Sequence, residues 1–373
     1  MDFAGALPVK TRRYHCEWRV RISHEIVDLK TRYPFVIARG GYAAHENVVV
    51  KITDDDGLEG LGEAAPNRYY GESVATVVSA LEQFAPVLGA ADAWSLEATD
   101  EALSRVLRGN NAAKSAISSA LHDIVGKRLG VPVYRLWGLD AADAGESSFT
   151  IGIADNEGLR QRVADAAQYP ILKVKLGTDR DMEIIQVVRD AAPDKRLRVD
   201  ANAAWTASHA VRMIDFLADN DVEYVEQPVA QHDIEGFRFV RARSKLPIYA
   251  DESCLVATDV PKLAGAVDGI NLKLAKCGSL REAIRIVHTA RAFGMYVMAG
   301  CMIESSLGIS AIGQLAPLLD HADFDGAALL SNDPYDGVRI DGGKITLTER
   351  AGIGAVAAEA SAKKASGGSR QGT

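Results

Sequence analysis

Cysteine is scarce in this chain. There are four among 373 residues, Cys16, Cys254, Cys277 and Cys301, and no CxxC pair. That excludes a disulfide framework and a thiolate zinc site, and it reads as free thiols in a reducing cytoplasm. Positive charge is also in deficit: 42 Lys and Arg stand against 50 Asp and Glu, a formal net charge of −8. A nucleic-acid surface and a polybasic membrane contact are therefore not expected. No apolar run approaches the roughly 20 residues of a spanning helix. The start, MDFAGALPVKTRRYHCEW, lacks the apolar core and cleavage site of a secretory signal. What remains, 47% hydrophobic and 25% charged, is the balance of a soluble globular protein and not of a disordered chain, a collagen or a coiled coil. A single core stops growing at roughly 250–300 residues, so one large domain plus a smaller one is expected.

After a loose start over 1–13, the pattern from about 15 to 65 is β: RVRISHEIV, VVVKI and LEGLGEA. Asp54-Asp55-Asp56-Gly57 between the last two is a hairpin signal. Gly57, Gly60 and Gly62 read as turn and strand glycines, because no helix opens directly after them. From Glu72 to about Leu139 the apolar spacing is helical, with Ser73 as a cap and Gly130-Val131-Pro132 as a stop. Together these form an α+β module. Short apolar strands then recur near 148, 171, 197, 222, 247, 269, 295 and 322. Their spacing is roughly 22–27 residues, one β-loop-α-loop unit, and every gap but the last shows a helical pattern. Eight such strands are the signature of a (β/α)8-type barrel; a doubly wound sheet would show a Gly-rich first turn and fewer strands. VRIDGGKITLTE reads as a closing hairpin, and the small, polar end of the chain as a disordered tail.

In such a barrel the C-terminal strand ends face the active site. Charged residues crowd there: Lys173 and Lys175, Asp200 and Asn202, Glu226, Asp251 with Glu252, Asn271 with Lys273 and Lys276, Glu304, and Asp323 with Asp325. Any one of them has a plain explanation as a salt bridge at the barrel mouth. Charges on six or more successive strand ends do not, because an unpaired buried charge costs several kcal/mol. Asp200, Glu226 and Asp251 stand on consecutive strands and offer hard oxygen donors without His or Cys, the donor set of Mg²⁺. Lysines flank that point on strands two and six, where an acid and a base would act on opposite faces of a carbon.

The stretches LKVKL (172–176), VDANAAW (199–205), VEQP (225–228), ADES (250–253) and NLKLAKCGS (271–279) together resemble the enolase superfamily, in the two-lysine subgroup typified by muconate lactonizing enzymes. The resemblance spans nearly the whole chain. It implies an α/β fold, a modified TIM barrel of (β/α)7β form under an N-terminal α+β capping domain. The expected division is a cap over 1–140, a barrel over 141–330, a segment returning to the cap over 331–352 and a tail over 353–373. It also implies Mg²⁺ on Asp200, Glu226 and Asp251. Strand period alone leaves Lys273 and Lys276 open as the partner of Lys175; the resemblance selects Lys276, giving Lys175 and Lys276 as the acid/base pair. No His stands at the ends of strands six or seven, so the His–Asp pair of mandelate racemases is not expected.

ADFDGAALL (322–330) is similar to the Asp-x-Asp signature of dipeptide epimerases, in which two carboxylates hold the substrate's α-ammonium group. Asp323 and Asp325 take that role by resemblance. YPFVIARGG (33–41) resembles the mobile capping loop of L-Ala-D/L-Glu epimerases, which places Arg39 on the side-chain carboxylate of a C-terminal Glu or Asp. Thr150, Lys173 and Cys301 match positions near the substrate, and Asn202, Glu252, Lys273 and Glu304 match positions that support the residues touching metal or substrate. The activity implied is inversion of the C-terminal residue of an L,L-dipeptide, Ala-Glu first. A cytoplasmic homo-oligomer with no nucleic-acid or membrane partner is expected. Muconate cycloisomerase, o-succinylbenzoate synthase and N-acylamino acid racemase activities share the two lysines and are the alternatives. A catalytically silent barrel, used for binding or structure, is a further one. Cys277-Gly278-Ser279 departs from the commoner x-Gly-Gly, and Ser279 would narrow the pocket or do nothing.

Overall fold

The computed structural model describes residues 20–358. The loose start, Cys16 and the part of the expected tail beyond 358 lie outside the described residues. An antiparallel meander comes first: β1 (Arg21–Ile37), β2 (Gly40–Thr53) and β3 (Glu59–Ala64). The Asp-Asp-Asp-Gly turn joins the last two, with Gly57 at φ +79°. Three helices follow, α1 (Val74–Leu88), α2 (Leu96–Val106) and α3 (Asn111–Leu129). Ser73 closes a capping box with Thr76 at the start of α1, and Gly130 at φ +68° ends α3. Gly60 and Gly62 are strand glycines with a packing purpose. A Cβ on either would stand 2.0 Å from the carbonyl oxygen of Ala120 or Ala116, so α3 lies directly on the sheet. Val48, Val50, Ile52, Phe84, Ile117 and Ile124 fill the core between them.

A short α4 (Val133–Leu136) leads to eight parallel strands, β4 (Phe149–Ile151), β5 (Ile171–Lys175), β6 (Arg196–Asp200), β7 (Val222–Glu226), β8 (Ile248–Ala250), β9 (Gly269–Leu272), β10 (Tyr296–Gly300) and β11 (His321–Asp323). They are hydrogen-bonded in sequence order, and a parallel bridge between Ser147 and Ala322 brings the last back to the first. The eight expected strands are all present. Between them run α5 (Asn156–Asp165), α6 (Asp181–Ala191), α7 (Ala207–Asp219), α8 (Ile234–Arg241), α9 (Val260–Leu263), the single turn α10 (Leu274–Cys277), α11 (Leu280–Ala292) and α12 (Ser306–Gly313). The last gap, read from sequence as carrying no helical pattern, holds α12. Its residues Leu307 to Gly313 are all buried, so it has no polar face to reveal a helical period.

β12 (Tyr335–Asp336), β13 (Arg339–Asp341), β14 (Lys344–Thr346) and β15 (Val356–Ala357) complete the described chain. β13 and β14 form the closing hairpin, and Gly352 bridges to Pro132 beside α3. Residues 353–358, read as the start of the tail, are ordered: Ile353 is buried and donates its amide to Asp123, and β15 pairs with β12. The cap docks on the barrel mouth through Glu63, which accepts bonds from the Ser305 and Gly308 amides, and through Asn47, which donates to Glu63 and to the Ile303 carbonyl. Among the described residues no helix is long and apolar enough to cross a membrane.

Candidate active site

Strand geometry delivers the carboxylates. Asp200 and Glu226 are the last residues of β6 and β7 and are register partners; Asp251 follows β8 directly. Candidate ligand atoms of the three lie within 4.8 Å of one another, and all three residues are buried. Burial and the mutual repulsion of Asp200 and Asp251 push the Glu226 carboxyl up to about 7. Three buried carboxylates this close, all hard oxygen donors, fit a divalent cation and give it a reason to be there. The backbone is strained beside two of them. Asn202 and Ala203 after Asp200, and Gln227 after Glu226, all have positive φ (46°, 64° and 40°), and the environment must hold them there. Asn202 turns back to Asp200 through its amide (2.8 Å) and its Nδ2 (3.0 Å). Gln227 accepts the Asp251 amide at 2.9 Å, and Asn271 donates to Glu226 at 2.8 Å.

Each outer carboxylate carries a lysine. Lys175 Nζ is 2.6 Å from Asp200 Oδ2, and Lys273 Nζ is 2.8 Å from Asp251 Oδ2. Both line one cavity of about 1150 Å³ that opens between barrel and cap. Burial works against the charge on Lys273, but Asp251 and Glu226 outweigh it and raise its pKa. Lys276 does not reach this cavity. Its Nζ is spent on Asp251 Oδ1 (2.5 Å) and on the carbonyls of Asp251, Asn271 and Cys254 (2.6, 2.7 and 3.1 Å). Its side chain is fully buried. Of the Lys175–Lys276 pair expected from resemblance, Lys175 lines the cavity and Lys276 does not; Lys273 lines it in place of Lys276. The reason is local: Lys273 still has extended backbone, so it continues the β9 alternation and shares a face with Asn271, whereas Lys276 lies one turn into α10.

The remaining expected residues divide. Lys173 is fully buried beneath the site, 2.8 Å from both Glu226 and Asp323 and 3.6 Å from Asp200. Asp323 is accordingly taken, by Lys173 and by Ser148 Oγ at 2.7 Å. Burial opposes its charge, but Lys173 and Lys175 hold its carboxyl down at about 2. Asp325 accepts the Thr150 amide at 2.5 Å and a bond from the Thr150 side chain, and among the described residues no cationic side chain. Burial and the neighbouring Asp323 push it up to about 7. Thr150, Asp323, Asp325 and Cys301 all line the cavity. Glu304 stands behind it, accepting the Met302 amide, and burial with nearby Glu63 pushes it to about 7.

Arg39 lines the cavity, and its guanidinium is already engaged there. The 33–41 segment is no irregular loop but the tip of the β1–β2 hairpin, turned by Gly40 at φ +106°. From it Arg39 donates to the Asn202 carbonyl (2.8 Å), pairs with buried Glu252 (2.8 Å) and stacks on Tyr69 at 4.2 Å. Ser279 does not narrow the cavity; it caps α11 by accepting the Glu282 amide at 3.0 Å. The sequence marks the cap segment 67–72, which holds Tyr69 and Glu72, as a capping loop without revealing what it touches, and Ser148 and Asn111 were missed. Their contacts join positions far apart in the chain and leave no local signal.

Comparison with known proteins bears on this arrangement. Residues 157–361 match the family model described as enolase C-terminal domain-like. Residues 20–138 match that of the mandelate racemase/muconate lactonizing enzyme N-terminal domain. The chain belongs to the mandelate racemase/muconate lactonizing enzyme family. Within it, the chain is 38% identical to an L-Ala-D/L-Glu epimerase of Bacteroides thetaiotaomicron, over 93% of this chain and 90% of that one. It is 37% identical to a hydrophobic dipeptide epimerase of Roseobacter litoralis, over 91% and 100%. A dipeptide epimerase of Enterococcus faecalis, solved with Mg and the dipeptide L-Leu-L-Tyr, superimposes with a TM-score of 0.86 at 32% identity, over 91% of this chain and 99% of that one. This family's fold, an eight-stranded barrel under an α+β cap, is the fold described above.

Proposed function

We propose that this protein is a Mg²⁺-dependent dipeptide epimerase that inverts the α-carbon of the C-terminal residue, with Lys175 and Lys273 as its acid/base pair. The observation that carries the reading is Asp325, a buried carboxylate facing the cavity without a cationic partner, across from a triad flanked by two lysines. A substrate α-ammonium supplies the missing charge. It also draws the Asp325 carboxyl back down from about 7, because a neighbouring cation favours the ionised form. Asp323, already neutralised by Lys173, holds the floor of that subsite. Anionic substrates without an ammonium group would leave Asp325 facing like charge.

Asp200, Glu226 and Asp251 would hold Mg²⁺, which when bound supplies positive charge against the negative charge that builds on the substrate's C-terminal carboxylate. The protein does the rest. Lys175 and Lys273 stand on either side of the triad, so one takes the α-proton and the other returns a proton to the opposite face. Each exchanges roles with the other in the reverse direction. The cap walls one side of the cavity and so limits the bulk water that would compete for the proton.

The L,L-Ala-Glu preference is less favoured by the geometry than the reaction is. Arg39, the expected partner of an acidic side chain, is already paired with Glu252. The cap wall of the cavity carries Ile26, Phe35, Ile37, Val74 and Val78, which suits an apolar side chain. The test is a mass-spectrometric screen of L,L-dipeptides in D₂O with Mg²⁺. A one-unit mass gain on the C-terminal residue of a subset is expected. No exchange on any dipeptide, with Mg²⁺ bound, would sink the reading.

A further inference from the structure

We propose that Asn111, a residue of the cap, is a positioning residue for the Lys273 half of the site; this rests on the two-lysine reading above. Asn111 opens α3, and its Nδ2 donates to the Lys276 carbonyl at 2.5 Å. Gly278, at φ +88°, makes room for it: a Cβ there would lie 3.2 Å from Asn111 Oδ1. Asn111 is itself fixed from the other side. Glu72, on the cap loop that lines the cavity, accepts the Asn111 amide at 2.6 Å and the Ala112 amide at 3.1 Å.

The turn that Asn111 fastens is the one that sets Lys273. The amides of Lys276 and Cys277 both bond the Lys273 carbonyl, at 3.0 and 3.1 Å. The Lys276 ammonium ties the same turn to the Asn271 carbonyl and to Asp251 Oδ1, while Lys273 holds Asp251 Oδ2. A continuous set of bonds therefore runs from the cavity-lining loop through Glu72, Asn111 and the α10 turn to Lys273. Lys175 is tied to the cap by a separate route, through Asp200 and Asn202 to Arg39, which does not include Asn111. Releasing Asn111 should disturb one lysine and spare the other.

Proton exchange separates the two. The epimer whose α-hydrogen faces Lys175 is deprotonated and redeuterated by Lys175 alone. The other epimer needs Lys273. Each epimer of a substrate found in the screen is incubated separately in D₂O with Mg²⁺ and wild type, Lys175→Ala, Lys273→Ala, Asn111→Ala and the isosteric Asn111→Asp. The two lysine variants define which epimer belongs to which lysine. Both Asn111 variants are expected to lose at least about tenfold in exchange of the Lys273 epimer and less than about twofold in the other. Equal losses for both epimers, or no loss, overturn the proposal. A purely structural role lowers the folded fraction and so slows both epimers alike. If Asn111→Ala fails to fold, Asn111→Asp decides alone. If wild type exchanges no dipeptide, or the lysine variants show no opposite preference, the epimerase reading itself has failed and the proposal falls with it.

Discussion

Lys173 offers a test of how the site is held together. Its ammonium is fully buried and lies 2.8 Å from Glu226 and from Asp323, and 3.6 Å from Asp200. Burial works against its charge, yet Asp323, Glu226 and Asp200 raise its pKa well above the ordinary lysine value. Replacing it with methionine keeps most of the volume and removes the charge. Glu226 and Asp323 would then face each other's neighbourhood uncompensated. Breaking one buried ion pair from one side costs about 3–5 kcal/mol, and here one cation serves more than one carboxylate, so the upper part of that range is expected for Lys173→Met in the absence of divalent cations.

The pH dependence gives the sign. Losing the Lys173 cation raises the folded-state pKa of Glu226, already up at about 7 in the wild type, and of Asp323, held there at about 2. The folded variant then binds more protons than the folded wild type, so its deficit should shrink as pH falls, by up to about 1.4 kcal/mol per pH unit per group within the window between the wild-type and variant folded pKa values. Urea unfolding followed by far-UV circular dichroism, with a chelator present, at pH 8 and pH 5.5, reads both effects. A deficit under about 1 kcal/mol at pH 8 would refute the argument. So would a deficit of equal size at both pH values, which would indicate lost packing in place of lost charge.

Three further outcomes are expected. Asp325, pushed up to about 7 by burial and by Asp323, must be ionised to receive an ammonium group. KM for a dipeptide should therefore rise as pH falls through about 7, and Asp325→Asn should raise KM at pH 8 and flatten that profile; a KM independent of pH in both proteins would contradict it. Glu252→Gln frees the Arg39 charge. The kcat/KM ratio of Ala-Glu to Ala-Leu should then rise about tenfold, equivalent to about 1.4 kcal/mol, and an unchanged ratio would show that Glu252 does not compete for Arg39. Ser279→Gly removes a helix cap at a cost of a few tenths of a kcal/mol, so its melting temperature should drop slightly with no change in the substrate profile. A changed profile would place Ser279 at the pocket after all.

The barrel was legible in the sequence because its strands are short, largely buried and spaced by one repeat, and because a charge ends the apolar run at the last residue of β5, β6, β7 and β11 and directly after β8 and β9. Asp200, Glu226 and Asp251 stood out for that reason. Two things were not legible, and both come from tertiary contact. Arg39 reads as an open anion site until its partner is seen, and Glu252 lies 213 residues away on another domain's strand end. Asp323 and Asp325 read as an equivalent pair by their spacing, yet Lys173 crosses from β5 to pair with one and leaves the other to Thr150.

The lysine on the sixth barrel strand is the sharper lesson. Alternation holds only while the backbone stays extended. β9 ends at Leu272, Lys273 keeps the extended conformation at φ −140° and ψ 138°, and the α10 turn begins immediately after it. Asn271 and Lys273 thus face the barrel axis together, one holding Glu226 and the other Asp251. Three residues further on, the helical turn has carried Lys276 out of that alternation and into a nest of carbonyl groups. A buried ammonium with four acceptors is committed to structure, whereas one with a single carboxylate partner at a cavity wall still has protons to exchange. On that distinction, and not on spacing, rests the proposal of Lys273 as the partner of Lys175.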